Sequence, residues 1–346
     1  MDIEETRRKA ESGLCPAQAH LGHLYLTGQG VEQDYVEAFR WIKAAADQGA
    51  FTPVAMLGRM YEEGLGVERD LAEAVRLYKD AALRGNLGAA LDLARRYRFD
   101  TDVAIDEREA ATWYAVTAVL SDDETDLQYS EASQFLFQSA ETIDTLIRML
   151  NSTTDRRLRY YGALAIGQLN IVEALPALYA AAEDAEVREW VAEAFGYVTY
   201  WKRDVAPKKA AITGLLLRLM DDQDENVRCS AANSISNGRH NNRKTRERLR
   251  KAIGDPCDRV QQVAVLGLAR FGDREILPWL ETKLVSNDIA PHHIYAAEAI
   301  GDSSLLPAVR VGVERLTQTM WGREELEHGA AILEALATME QAANRP

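Results

Sequence analysis

The sequence predicts an all-α right-handed superhelix, an alpha-alpha repeat solenoid built in two styles, and three observations carry that prediction. The stretch LGHLYLTGQGVEQD at 21–34 returns as LGRMYEEGLGVERD at 57–70, thirty-six residues on. Beyond residue 126 a different pattern recurs in RRLRYYGALAIGQL, AEVREWVAEAFGYV, ENVRCSAANSISNG and DRVQQVAVLGLARFG. In both stretches apolar residues fall at helical spacing, and such units bury their apolar face only against the next unit, which is why they come in arrays.

Placing 21–49 over 57–85 pairs Leu21 with Leu57, Gly22 with Gly58, Tyr25 with Tyr61, Gly28 with Gly64, Gly30 with Gly66 and Asp34 with Asp70. Small and apolar residues predict a first helix in each unit. The GxG segment stops it, because glycine accepts the positive φ that ends a helix. Asp34 and Asp70 are expected to cap the second helix, which carries AFRWIKAAA or AVRLYKDAA. A third copy at the same offset keeps Tyr97, Val103, Asp106, Glu109 and Ala110 but puts Asp100 and Asp102 where the glycines stood, which leaves its tight turn open to question. Upstream, EETRRKAESG fits a truncated opening helix, with Ala10 and Gly13 in register with Ala46 and Gly49. With the LGxxYxxGxGVxxD core intact twice and eroded once, residues 1–120 resemble the Sel1-like repeat, a relative of the tetratricopeptide repeat. That resemblance implies stacked helical hairpins.

After the acidic junction SDDETD at 121–126, each recurring segment places an aliphatic residue, a polar one, and alanine four or five positions on. This predicts the second helix of an α-hairpin. ALPALYAAA, ITGLLLRLM, ERLRKAI and ILPWLETKL supply the partner helices. A fifth unit, PHHIYAAEAIGD at 291–302, keeps the small residues and loses the Val-Arg pair, and an amphipathic stretch from Glu324 to Gln341 is expected to cap the open end. From about 140 to 316 the pattern resembles HEAT repeats of the phycobilisome-lyase type. The expected domains are a Sel1-like repeat domain at 1–125 and, packed onto it, a HEAT-like domain at 126–346 with a C-terminal capping helix. Residues 121–140 lack Gly and Pro and include the apolar QFLFQ, so a packed joint is expected there.

Across 346 residues, 47% hydrophobic content, 27% charge and a mean hydropathy of -0.28 exclude a disordered chain. Nowhere do eighteen consecutive apolar residues occur, and MDIEETRRKAESGLCPAQAH offers no run for a signal peptide. A cytoplasmic location without membrane association is therefore expected. Cys15, Cys229 and Cys257 lack CxxC spacing, which points to neither disulfides nor a zinc knuckle. The net charge of -14 opposes generic binding to nucleic acid.

Candidate chemistry is sparse. His20 and His23, near Cys15, lack a fourth ligand and occupy variable columns of the repeat, and the adjacent His292 and His293 are expected on different helix faces. Arg159, Arg188 and Arg228 recur beside acidic neighbours such as Asp184 and Asp222. They read either as anion clamps or as ladders tying repeats together, and the ladder is favoured because buried charges need partners. No GxSxG, GxxxxGK[ST] or HExxH motif occurs. No catalytic residue, metal ligand or cofactor is assigned, and the chain reads as a non-enzyme.

One irregularity points to a binding surface. The interval from Leu158 to Val187 is 29 residues, from Val187 to Val227 it is 40, and from Val227 to Val260 it is 33, so the second carries an insertion. Its residues, TYWKRDVAPKK, combine Tyr200 and Trp201 with Lys202, Arg203, Lys208 and Lys209. The equivalent turn one repeat later is GRHNNRKTRERLRK, with Arg239, Arg243, Lys244 and Arg246 at its start. Turns at equivalent positions share one edge of a solenoid, and insertions emerge on its binding face, so a positive ridge is expected on an acidic molecule. A solvated charged turn is the plain alternative.

The function expected is a scaffold that binds a protein partner of acidic or mixed surface. By resemblance, both repeat types occur in bacterial adaptors and in immunity proteins that neutralise secreted toxins. The second reading is nucleic-acid binding through the ridge, for which HEAT-like alkylpurine DNA glycosylases offer an enzyme precedent.

Overall fold

A computed structural model describes residues 3–99, 104–121, 127–201, 206–238, 240–319, 337–339 and 341, without the side chains of 199–201, 206–208 and 317–319. Every regular element among the described residues is helical. Residues 324–336 and 340 of the expected capping helix lie outside the description, as do the junction residues 122–126. The chain divides into two compact units, Met1–Ala177 and Leu178–Pro346.

The first unit opens with α1 (Ile3–Glu11), the short opening helix expected from EETRRKAESG. Three hairpins follow: α2 (Cys15–Thr27) with α3 (Tyr35–Ala46), α4 (Phe51–Glu63) with α5 (Leu71–Leu83), and α6 (Leu87–Phe99) with α7 (Glu107–Leu120). The punctuation is as the sequence implies. Gly28 and Gly64 end α2 and α4 in the left-handed region, at φ 71° and 70°. Asp34 accepts from the amides of Val36 and Glu37, Asp70 from Glu73, and Asp106 from Arg108 and Glu109.

A backbone bond closes each connection at the same place. The Asp34 amide donates to the Tyr25 carbonyl at 3.0 Å, Asp70 to Tyr61 at 2.9 Å, and Asp106 to Tyr97 at 2.9 Å. The third closure forms although Asp100 and Asp102 replace glycines; residues 100–103 lie outside the description. Gly66 shows why glycine is needed in the second loop. Its φ is 71°, and a Cβ there would run into the Tyr35 carbonyl at the start of α3, so the loop of one repeat rests on the preceding repeat's helix.

The change of repeat style falls inside this unit. Helix α7 is buried from Ala110 to Ala118 and packs against α8 (Leu127–Gln138), α9 (Thr142–Leu150) and α10 (Arg156–Gln168). Across that join the Tyr114 hydroxyl donates to Glu131 at 3.0 Å, and its ring lies 4.6 Å from Phe135. Arg95 reaches Glu131 at 2.5 Å and Arg108 reaches Glu141 at 2.7 Å. The boundary between units runs instead through α11 (Leu175–Ala181).

The second unit sets α12 (Arg188–Trp201), α14 (Glu225–Asn237), α16 (Asp258–Arg270) and α18 (Pro291–Ile300) side by side as one layer. Against it pack α13 (Ala206–Leu219), α15 (Arg243–Ala252), α17 (Leu277–Leu284) and α19 (Leu306–Thr319). Close approach within the layer relies on small residues. Gly196 on α12 leaves room for Ser234 on α14, whose hydroxyl donates to the Ala192 carbonyl at 2.7 Å. One helix later, Gly267 faces Ser236.

Candidate partner-binding surface

The expected ridge is built on helices α12, α13 and α15. Tyr200 and Trp201 form the end of α12 and Lys208 lies in the first turn of α13, but these three side chains are outside the description, as are Lys202, Arg203 and Arg239 altogether. Lys209 is half-buried. Arg243 and Lys244 are exposed and Arg246 is half-buried.

The start of α15 is held firmly. Asn242 accepts from the Thr245 amide at 3.1 Å while the Thr245 hydroxyl accepts from the Asn242 amide at 3.0 Å, a reciprocal cap. Just before it, His240 is 1% exposed, with Nδ1 2.6 Å from the Thr213 hydroxyl of α13. Burial pushes its imidazole down to about 4, and the positive charge of Lys209 adds to the effect.

Most cations of the basic run meet carboxylates of this chain. Arg248 donates to the Met220 carbonyl and to Asp221, the latter at 2.6 Å. Arg250 reaches Asp273, whose side chain is 1% exposed, at 2.6 Å, and Glu275 at 2.8 Å. Arg243 pairs with Glu247 one turn on at 2.7 Å, and Arg246 donates to the Asn241 side chain at 2.7 Å. Asn242, Arg243, Arg246, Glu247, Arg250 and Glu275 enclose a cavity of about 510 Å³ whose lining is of mixed sign.

The recurring Arg and Asp residues form ties between successive repeats. Arg188 on α12 reaches Asp222 after α13 at 2.6 Å. Arg228 on α14 holds Asp255 through two bonds of 2.8 and 2.9 Å and donates to the carbonyls of Asp222 and Gln223 at 3.0 Å. Arg274 reaches Asp302 at 2.6 Å, whereas Arg159 stays within its own hairpin and donates to the Leu150 carbonyl of α9 at 3.1 Å. Arg188, Arg228 and Arg274 each place a guanidinium on a carboxylate, which suits a structural role, with the buried Nε of Arg188 left without a hydrogen-bond partner.

His20 and His23 are both exposed on α2. Among the described residues no group of three or more His, Cys, Asp or Glu side chains gathers as a metal site would require. His293 accepts from the Ala290 amide at 3.0 Å and its ring lies 4.1 Å from that of His292, so the two rings adjoin although successive residues leave the helix in different directions. No described helix is long and apolar enough to cross a membrane.

One feature escaped the sequence reading. Arg259 donates to the Asn226 side chain at 3.1 Å and Arg270 to Asn237 at 2.7 Å, two rungs between α14 and α16. Both join residues 33 apart, the interval already seen between Val227 and Val260. That coincidence was the available signal.

Comparison with known proteins agrees with both repeat styles. The Sel1 repeat profile matches residues 15–49, 55–86 and 88–116, and the HEAT repeats profile matches 212–301. Protein YibA of Escherichia coli (strain K12) is 30% identical over 95 residues, which are 28% of this chain and 34% of YibA, so the match spans about a third of that relative. The crystal structure of Escherichia coli YibA superposes with a TM-score of 0.47 at 18% identity, covering 85% of this chain and 97% of that one. A Sel1 repeat protein from Oxalobacter formigenes is 34% identical with a TM-score of 0.33, covering 38% of this chain and 98% of its own.

Proposed function

Starting from a chain that carries Sel1 repeats followed by HEAT repeats, a repeat scaffold for protein interaction, we propose that it is a non-catalytic adaptor holding a protein partner at the α12–α13–α15 edge of its second unit. A role in neutralising a toxin is one form that such an adaptor takes. The observation that carries the reading is the exposed start of α15. There Arg243, Lys244 and Arg246 stand in the first turn of a helix with no acidic residue to match its positive end, although α3, α5 and α7 each place a glutamate there. A charge arrangement that local stability disfavours suits a surface meant for an acidic partner. Trp201, the last residue of α12, is the proposed anchor, because Trp and Arg dominate interface hot spots.

Nucleic-acid binding is the weaker reading. Arg248 and Arg250 already have carboxylate partners, which lowers the positive field available to phosphates.

The test uses Trp201→Ala and a charge reversal combining Lys208→Glu, Lys209→Glu, Arg243→Glu and Lys244→Glu. Both variants should melt like the wild type. A partner captured by wild-type protein and then purified should lose at least about tenfold in affinity for each, the equivalent of 1.4 kcal/mol. Unchanged affinity in both variants removes the edge as the site. Salt-sensitive binding of a generic duplex, abolished by the reversal, replaces the protein partner with nucleic acid.

A further inference from the structure

Helix α14 ends at Asn237 and is followed by Gly238, the one Asn-Gly pair in the sequence. Gly238 has an ordinary φ of -72°, unlike the helix-ending Gly28 and Gly64, so positive φ is not what places glycine here. Asparagine before glycine carries its own nucleophile, because no Cβ shields the glycine nitrogen from the neighbouring side chain. In that reaction the Gly238 nitrogen attacks Cγ of Asn237. A C–N bond forms, the Gly238 amide proton leaves, and the side-chain NH2 takes up a proton and departs as ammonia. Water then opens the cyclic imide at either of its two C–N bonds. Breaking the side-chain bond gives aspartate, and breaking the main-chain bond gives isoaspartate.

The fold holds the reacting atoms apart from both sides. The Gly238 amide donates to the Ser234 carbonyl at 2.9 Å, which retains the proton that must leave. The Asn237 side chain is drawn elsewhere. Arg270 of α16 donates to its Oδ1 at 2.7 Å, and because guanidinium accepts nothing, that bond fixes which end of the amide faces α16. Nδ2 of Asn237 donates in turn to Oδ1 of Asn233 at 3.0 Å, one turn back along α14. Asn233 and Asn237 are exposed, and the last turn of a helix opens more readily than its middle.

Each product has a structural consequence. In this unit Arg188, Arg228, Arg250 and Arg274 end on aspartates, whereas Arg270 ends on an amide. Deamidation to aspartate turns that rung into an ion pair of the same kind. Isoaspartate instead adds a methylene to the main chain between residues 237 and 238. That displaces the Gly238 bond to Ser234 and, beyond it, the bond from the His240 amide to the Ile235 carbonyl at 3.3 Å, on the approach to α15.

We propose that Asn237 is a deamidation site gated by the last turn of α14. The closed turn withholds the reaction. Each opening permits it, and leaves either a carboxylate on Arg270 or an isoaspartate that loosens the approach to α15.

The full chain and a free peptide of residues 230–244 are aged in the same mildly alkaline buffer. Peptide mass spectrometry follows every asparagine, and an isoaspartate methyltransferase labels the second product. Asn237 should convert before any other asparagine of the folded chain. It should do so about tenfold to a thousandfold more slowly than in the peptide, equivalent to a local opening of about 1.4 to 4.1 kcal/mol. Arg270→Ala removes a charge-assisted bond and should speed both conversion and exchange of the Gly238 amide by about tenfold. Gly238→Ala should slow conversion in chain and peptide alike. Asn237→Asp should melt no lower than the wild type, and should lose that stability when combined with Arg270→Ala. Equal rates in chain and peptide remove the gate and overturn the proposal. Conversion slower by more than about a thousandfold also overturns it, because only global unfolding then exposes the site. So does earlier conversion of another asparagine, or an Arg270→Ala chain that ages and exchanges at the wild-type rate. Should that variant misfold, Asn233→Ala, which frees Nδ2 of Asn237, makes the same test.

Discussion

Between Met1 and Ala177 the repeats use backbone as well as ion pairs: a loop glycine sits on the preceding repeat's helix, an aspartate amide closes each of the three hairpins on a tyrosine carbonyl, and Lys79, Arg95 and Arg108 reach glutamates at later helices. Between Leu178 and Pro346 they are coupled by long side chains, with Arg188, Arg228, Arg250 and Arg274 each reaching an acidic turn of a later repeat. The charge differs as well. The first unit holds 29 acidic and 18 basic residues and the second 25 and 22. Backbone contacts need no counter-charge, so they are compatible with the first unit's acidic excess, whereas ties made by guanidinium use up a carboxylate for each arginine.

The largest effect is expected from Gly66→Val in the first unit. It combines a β-branched residue at positive φ with a clash against the Tyr35 carbonyl, and should cost about 4 kcal/mol in denaturant unfolding. A cost below about 1 kcal/mol means the loop does not bear on the neighbouring repeat.

Acidification should separate the two units. Burial pushes His240 down to about 4 and His293 to about 3, His293 also by the charge of its neighbour His292. The unfolded chain binds protons on these imidazoles from about 6.5 downward while the folded chain does not, so stability present above pH 6.5 is lost as pH falls toward 4 and below. At 1.36 kcal/mol per pH unit, His240 alone accounts for about 3 kcal/mol by pH 4. In the first unit the depressed carboxyls include Glu5, held by Lys9, Glu73, held by Arg76, and Glu131, held by Arg95; their stabilisation persists until pH falls below the ordinary carboxylate value. Hydrogen exchange between pH 6.5 and 5 should therefore rise in Leu178–Pro346 first. A faster rise in Met1–Ala177 reverses the comparison.

Arg228→Ala leaves Asp255, 11% exposed, without its two charge-assisted bonds and should cost about 2 kcal/mol. Loosened exchange in both α14 and α16 is the accompanying sign of a tie between repeats, and loosening of α14 alone speaks against one. The smallest effect belongs to the cap: Asp34→Ala should cost about 1 kcal/mol and fray the start of α3, seen as faster exchange of the Val36 and Glu37 amides.

These features were legible in the sequence to unequal degrees. The Asp34, Asp70 and Asp106 caps and the Gly28 and Gly64 stops bond within four residues of themselves, so composition and order suffice to read them. The Arg188 and Arg228 ties were readable as columns with Asp222 among their acidic neighbours, though Asp255 was not. The basic ridge was read from a count of charges, and a count cannot tell that Arg248 and Arg250 turn inward to Asp221 and Asp273, 27 and 23 residues away. The Asn226 and Asn237 rungs passed unnoticed because asparagine on a helix surface is chemically quiet until a neighbouring helix brings an arginine to it.

By itself, the sequence determined that this protein is helical, that its units repeat with two periods, and where the first-unit hairpins turn, since helix propensity, glycine at positive φ and aspartate capping act over one turn of chain. The tertiary structure alone decided which charges are paired, which asparagines accept from arginine, and that the change of repeat style falls within a packed unit. Each of those depends on residues meeting across 17 to 42 positions of chain, and only helix packing sets that distance.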